Sequence, residues 1–211
     1  MSLLRLTDVQ PTGHIRVDGI DLDRLPLAAI RERAFVTVSQ DPFILPNASL
    51  RFHLDPTLML PGVALMTAII KVGLQAVFLL NSYNGDDCVV EDTLWDRALS
   101  SFPALSAGQA QLLSLARALL QIQTRSGCGS NKRRPIILLD EITASLDTTT
   151  EATVHDVVED VFVKGAYGEG VDGHTVLIVT HHPGSLVGRL RKGRDIMVRM
   201  GNGKVERVEN I

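Results

Sequence analysis

The chain lacks most of the features that assign a protein by elimination. It has only two cysteines, Cys88 and Cys128, and neither stands in a metal-ligand or redox spacing. Reduced, unpaired thiols are expected, as in a cytosolic protein. It has no long uninterrupted apolar run. The longest, from Val63 to Leu80, is broken by Thr67, Lys71, Gly73 and Gln75, whereas a membrane-crossing helix needs about 20 predominantly apolar residues. A core helix is expected there instead. Met1-Ser2-Leu3-Leu4-Arg5-Leu6 is too short for the apolar region of a signal peptide. Charge of either sign is not in excess: 21 Lys and Arg face 24 Asp and Glu, for a net charge of −3. Bulk electrostatics therefore gives no reason to expect a nucleic-acid partner. There is no internal repeat and no low-complexity tract. What remains is ordinary soluble-globular composition, 45% hydrophobic and 21% charged. The 211 residues suffice for one core and a smaller subdomain.

Periodicity then divides the chain. Leu3 to Thr7 reads as the end of a helix. His14 to Gly19 reads as a short strand, Ile15 and Val17 alternating with polar residues before an Asp-Gly turn. Leu25 to Arg31 gives one or two helical turns, and Phe35 to Ser39 a strand that delivers Gln40 to a loop enforced by Pro42. From Asn47 to Leu99 the pattern is helical, with Met66, Ile69, Ile70, Gly73, Leu74 and Val77 on one face and a polar loop over Asn81–Asp87. A short helix over Thr93–Leu99 is stopped by Pro103. Ser106 and Gln109 stand in capping-box spacing ahead of a stripe made of Leu112, Leu115, Ala116, Leu119 and Leu120. Gln123 to Arg134 is a loop whose Lys132-Arg133-Arg134 run is solvated. Ile136–Leu139 is a continuous apolar run, as in a strand covered on both faces. Thr148 to Val163 is helical with Val154, Val157, Val158 and Val161 inward. Val176–Val179 is a second apolar strand, and Asp195–Val198 with Lys204–Val208 form a closing hairpin around Gly201-Asn202-Gly203.

Chemistry concentrates between Leu105 and Asp147. An apolar strand that ends in Asp140-Glu141 places two carboxylates facing opposite ways, so one can hold a metal ion while the other orients a water. Phosphoryl transfer depends on that kind of positioning and charge stabilisation. Ser106 and the Gly108 backbone stand at a helix start, where partial positive charge favours phosphate. Taken alone, that turn is no more than a good cap, Gln40 at a strand end is weak, and a lone histidine such as His181 is more often structural. Their order along the chain gives them force: glutamine, small-residue helix start, Asp-Glu, histidine.

On that order the chain resembles the nucleotide-binding domain of ATP-binding cassette (ABC) transporters, most like the second such domain of the C-type, multidrug-resistance-associated branch. Leu105-Ser106-Ala107-Gly108-Gln109 is similar to the family signature, Ile136–Asp140 to its Walker B strand and Asp147 to its D-loop aspartate. Ser39-Gln40-Asp41-Pro42 and Leu54-Asp55-Pro56 are similar to the C-type wording. The resemblance implies a P-loop NTPase (RecA-like) α/β core, with a parallel sheet over Phe35–Ser39, Ile136–Leu139 and Val176–Val179. It also implies an inserted helical subdomain over about residues 42–103. Glu141 and His181 are then catalytic, as general base and switch histidine. Gln40, Ser106, Ala107, Gly108, Gln109, Asp140 and Asp147 bind nucleotide, and Gln40 and Asp140 hold Mg²⁺. The implied cofactors are ATP and Mg²⁺. The implied partners are a second nucleotide-binding domain in a head-to-tail sandwich and the transporter's transmembrane domains, with no nucleic acid. The expected location is the cytoplasmic side of a membrane, the isolated chain being soluble and cytoplasmic.

The chain also departs from the family. No G-x-x-x-x-G-K-S/T occurs, so the phosphate-cradling loop and its lysine are absent. The opening strands and the aromatic residue on which adenine stacks in the family are expected to be missing with it. Ala110 stands where an arginine is usual, Ser100–Ala104 replaces a Gly-rich lead-in, and His182 follows the switch histidine in place of arginine. Hydrogen bonds to charged groups contribute roughly 1.5–3 kcal/mol each. Three lost N–H contacts and a lost lysine then forfeit on the order of 5–9 kcal/mol, against the ~8 kcal/mol of micromolar binding. Two readings follow. The sequence represents an N-terminally truncated part of a transporter ATPase, or it is a non-catalytic interaction module that lends its signature to a partner's ATP site. A chromosome-maintenance type ATPase would carry long heptad runs, which are absent.

Overall fold

The computed structural model describes residues 14–79, 93–125, 134–164 and 174–211. The expected helix end over Leu3–Thr7, the loop over Asn81–Asp87 and the basic run Lys132-Arg133 lie outside them. The described chain divides into two units, one ending at Val179 and the other covering Thr180–Ile211.

The first unit opens with a hairpin, β1 (Arg16–Val17) and β2 (Ile20–Asp21). Asp18 and Gly19 form its two-residue turn, both at positive φ, the backbone hand that matches strand twist. A 3₁₀ turn (Leu22–Arg24), α1 (Leu27–Ala29) and a wide turn (Ile30–Ala34) lead into β3 (Phe35–Val38). Four short helices follow: α2 (Leu50–Leu54), α3 (Gly62–Lys71), α4 (Gln75–Phe78) and α5 (Thr93–Asp96). Then come α6 (Ala107–Arg125), β4 (Ile136–Asp140), α7 (Thr148–Val158), which runs on as a wide turn to Val163, and β5 (Val176–Val179). The strands form a parallel sheet in the order β3-β4-β5. The unit is thus mixed α/β with a three-stranded parallel sheet, compatible with a P-loop NTPase-like core.

Register decides which side chains share a face. Ile137 pairs with Val36 and Val176, and Leu139 with Val38 and Ile178. These residues line the face that packs on the main core with α6 and α7. Phe35, Ile136 and Leu138 line the other face, where they meet Ile15, Val17, Leu22, Leu25 and Ile30 in a smaller cluster. That cover stops short of β5, whose Leu177 is 41% and Val179 56% exposed. The expectation that Ile136–Leu139 is covered on both faces is therefore only partly met, at Ile136 and Leu138. An unbroken apolar run records what a strand prefers. It does not record whether the described residues cover both its faces.

The helix α6 is buried along most of its length, at Gln111, Leu112, Leu113, Leu115, Ala116, Ala118, Leu119, Leu120 and Ile122. The expected stripe is present but widened, because α2, α3, β3 and α7 all pack around this helix. It also runs to Arg125, three residues into the stretch read as loop. Its start follows the sequence signal: the Ser106 N–H donates to Gln109 Oε1 at 2.9 Å and the Gln109 N–H to Ser106 Oγ at 3.2 Å. The apolar run from Val63 does not make one helix. The Leu74 N–H bonds back to Ile69 O at 3.0 Å, closing α3 before α4 begins.

Two buried polar residues pin the loops around α2. His53 is 1% exposed; its Nδ1 lies 2.9 Å from Ser49 O, and its Nε2 accepts from the Leu45 N–H at 3.0 Å. This is the neutral form of the ring. Burial lowers its pKa, opposed by the Ser49 bond and helped by nearby Arg117. Asp55 is also buried. Burial alone would raise its pKa, but bonds from the Thr57 hydroxyl and the N–H groups of Leu60 and Thr57 hold it below the ordinary range.

The second unit holds α8 (Gly184–Val187) and a hairpin of β6 (Ile196–Gly201) and β7 (Lys204–Asn210), with Asn202 and Gly203 at positive φ in the turn. Its strands are longer than the sequence pattern suggested. The Gly193 N–H donates to Ile211 O at 2.6 Å, and the Asp195 carboxylate accepts from the Arg191 N–H at 2.8 Å. No helix of the described residues is long and apolar enough to cross a membrane.

Two predictions follow. Ser106→Ala removes the cap of α6 and lowers unfolding free energy by about 1 kcal/mol, measured by urea denaturation. His53 binds its proton more weakly folded than unfolded, so its contribution to stability is intact above the unfolded value of about 6.5. That contribution is lost as pH falls below that value. In thermal melts between pH 8 and pH 5, His53→Gln flattens this acid-side decline; an unchanged slope removes His53 as its source.

Candidate functional site

Parallel strands deliver their C-terminal ends to one edge. Since Val38 pairs with Leu139 and Asp140 with Val179, the loop after β3 and the carboxylates after β4 emerge side by side. Asp140 is the last residue of β4 and is exposed. Glu141 turns the chain with φ 49°, an uncommon conformation for a residue with a Cβ. Its N–H donates to Val179 O at 2.9 Å and its carbonyl accepts from the Ala144 N–H at 3.1 Å. The main-chain turn thus takes Glu141 off the strand line.

Asp147 ends the turn as the cap of α7. Its Oδ1 accepts from the N–H groups of Thr149 and Thr150 at 3.1 and 3.0 Å, and its Oδ2 from the Thr150 hydroxyl at 2.6 Å. The Thr150 hydroxyl is the first cause of an Asp147 carboxyl pKa below the ordinary value, followed by the backbone N–H bonds. The carboxylate is exposed and ionised, with part of its acceptor capacity committed to the cap.

Gln40 sits in the exposed loop after β3, and that loop is held from beneath. Gln111 of α6, 1% exposed, donates from Nε2 to Ser39 O at 3.0 Å and to Gln40 O at 3.4 Å. The tie was not read from the sequence. The available signal was a glutamine next to Leu112 and Leu113, on the apolar side of α6. Ser106 and Ala107 are exposed, Gly108 is buried and Gln109 half-buried. In the capping box the Ser106 oxygen accepts one hydrogen bond, which leaves its O–H proton to donate to an oxygen brought up to the turn.

Of the residues read from the sequence, the first unit carries Gln40, Ser106, Ala107, Gly108, Gln109, Asp140, Glu141 and Asp147. Gln40, Asp140 and Glu141 share the C-terminal sheet edge, while Gly108 and Asp147 meet through Thr150, whose methyl occupies the space of a Gly108 side chain. His181 follows β5 in sequence but belongs to the second unit, where it is exposed beside Thr180, whose Oγ1 accepts from the His182 N–H at 3.0 Å. The donor set suits a hard divalent cation. Mg²⁺ takes oxygen ligands, and the Asp140 carboxylate and Gln40 amide oxygen are of that kind and leave the same sheet edge.

No protein-family model matches the chain. Curated relatives do. The ABC transporter atnG of Emericella nidulans is 30% identical over 83% of this chain and 9% of its own length. The ABC multidrug transporter B of Aspergillus fumigatus is 30% identical over 86% of the chain and 10% of its own length. The human ATP-binding cassette sub-family C member 8 is 32% identical over 71% of the chain and 8% of its own length. The chain thus spans about a tenth of the length of the relatives it matches. Identity near 30% over most of the chain, with a parallel α/β sheet that ends in two carboxylates, supports an ABC transporter domain related to ATP-binding and transport.

Proposed function

We propose that the chain is part of a nucleotide-binding domain of an ABC exporter of the C-type branch, in which ATP binding and hydrolysis drive transport. The observation that carries the reading is one sheet edge presenting Gln40, Asp140 and Glu141 on adjacent parallel strands. Asp140 and Gln40 would hold Mg²⁺, which would supply positive charge to neutralise phosphate. Glu141 acts as general base and orients the attacking water. His181 is assigned the switch-histidine role by the family resemblance.

Ser106, Ala107, Gly108 and Gln109 serve a different nucleotide, the one held by a second domain in a head-to-tail sandwich. The exposure of Ser106 and Ala107, and the hydroxyl proton left over by the capping box, favour that role. Asp147 lies at the same junction. The helices between residues 42 and 103 form the subdomain that carries the signature, and the transmembrane domains lie outside these residues. The phosphate loop comes from outside the 211 residues as well. The open face of β5 at Leu177 and Val179 fits a core completed by further chain. Under this reading the domain works on the cytoplasmic side of a membrane.

A second reading is favoured by one combination. The signature turn and its cap are intact, yet the 211 residues hold no G-x-x-x-x-G-K-S/T. The chain then completes a partner's ATP site in trans and hydrolyses nothing at its own Asp140 and Glu141.

Both readings predict that the 211-residue chain alone binds MgATP only weakly, without micromolar affinity, in an isothermal titration. Supplying an upstream strand and phosphate loop restores micromolar binding under the first reading and leaves it absent under the second. Micromolar affinity for the chain alone contradicts both.

A further inference from the structure

Gly108 is the buried member of the signature turn. A Cβ built on it falls 2.1 Å from Thr150 Cγ2, while Thr150 Cβ and Oγ1 lie at 3.5 and 3.8 Å. One methyl group therefore occupies the place of the missing side chain. That methyl does not swing aside freely. The Thr150 hydroxyl donates to Asp147 Oδ2 at 2.6 Å and its N–H to Asp147 Oδ1 at 3.0 Å. A β-branched side chain in a helix has few χ1 options, and turning the methyl away from Gly108 takes the hydroxyl off the carboxylate. The cap of α7 thus sets the Thr150 rotamer, the rotamer aims the methyl, and the methyl limits how closely α7 and the first turn of α6 approach.

We propose that Thr150 is a positioning residue that sets the spacing between the signature turn at 106–109 and Asp147, and that position 108 is glycine because the Thr150 methyl fills its Cβ space. The functional part rests on the trans role of the signature described above. There, Ser106 and Asp147 both face the shared nucleotide junction, so a shift at Thr150 displaces both together. Neither residue can be moved alone.

The test uses the full 211-residue chain with Gly108→Ala, Thr150→Ser, Thr150→Val and the Gly108→Ala/Thr150→Ser double variant. Thr150→Ser deletes only the colliding methyl and keeps the hydroxyl on Asp147. Helix propensity favours alanine over glycine, so without the collision Gly108→Ala raises the thermal midpoint. The proposal expects it to fall by several degrees, and the double variant to match or exceed the Thr150→Ser midpoint. Should Gly108→Ala fail to fold, recovery of folded protein in the double variant is the same rescue. The Asp147 carboxyl titration followed by NMR is unchanged in Thr150→Ser and shifts upward in Thr150→Val.

The last readout is association with a complete cassette domain that carries its own phosphate loop and is loaded with MgATP. Gly108→Ala weakens it at least tenfold. A Gly108→Ala midpoint at or above the unsubstituted one, or no rescue in the double variant, overturns the Thr150 spacing. Midpoint rescue with no MgATP-dependent association by any form, the unsubstituted chain included, overturns the trans reading and upholds the spacing.

Discussion

The burial of α6 against the β3–β4 sheet is the constraint on which the other parts depend. Leu115 and Ala116, like Ile137 and Leu139 of β4, are fully buried, and Leu119 is 1% exposed. A helix fixed this firmly cannot slide, so groups at its start hold fixed positions. Gln111 holds the carbonyls of Ser39 and Gln40, and Gly108 receives the Thr150 methyl beside the Asp147 cap. One helix end therefore keys two loops that lie far apart in sequence.

Much of this was legible in the sequence. The apolar runs at Phe35–Val38, Ile136–Leu139 and Val176–Val179 became the three parallel strands, because β-branched and leucine-rich runs of that length fit a packed sheet. Ser106 and Gln109 formed the reciprocal cap that their spacing implies, and the Asp-Gly and Asn-Gly pairs made hairpin turns. The extent of burial was not legible. Leu177 and Val179 look like Ile137 and Leu139 in one dimension, and only the sheet order shows that β5 lies at an edge. The break between α3 and α4 was hidden by a helical period in which Gly73 counted as one more position on the buried face.

The same division holds at the site. Residue identity marked Gln40, Asp140, Glu141 and Asp147 as candidates, since amides and carboxylates at strand ends and caps are chemically conspicuous. The residues that position them carry no such mark. Thr150 is one of three successive threonines, and Gln111 is a polar residue in a mostly apolar helix. Each becomes meaningful only through a contact across tens of residues. The φ of Glu141 is likewise a property of the turn and cannot be read from the Asp-Glu pair.

The central claim is that the signature turn acts on a nucleotide held by another domain. Disulfide trapping tests it most directly, with Ser106→Cys in this chain and a cysteine on the phosphate loop of a complete cassette domain. The account predicts a cross-link that forms with MgATP and is lost without it. A cross-link indifferent to nucleotide, or none with MgATP at saturating partner concentration, contradicts it.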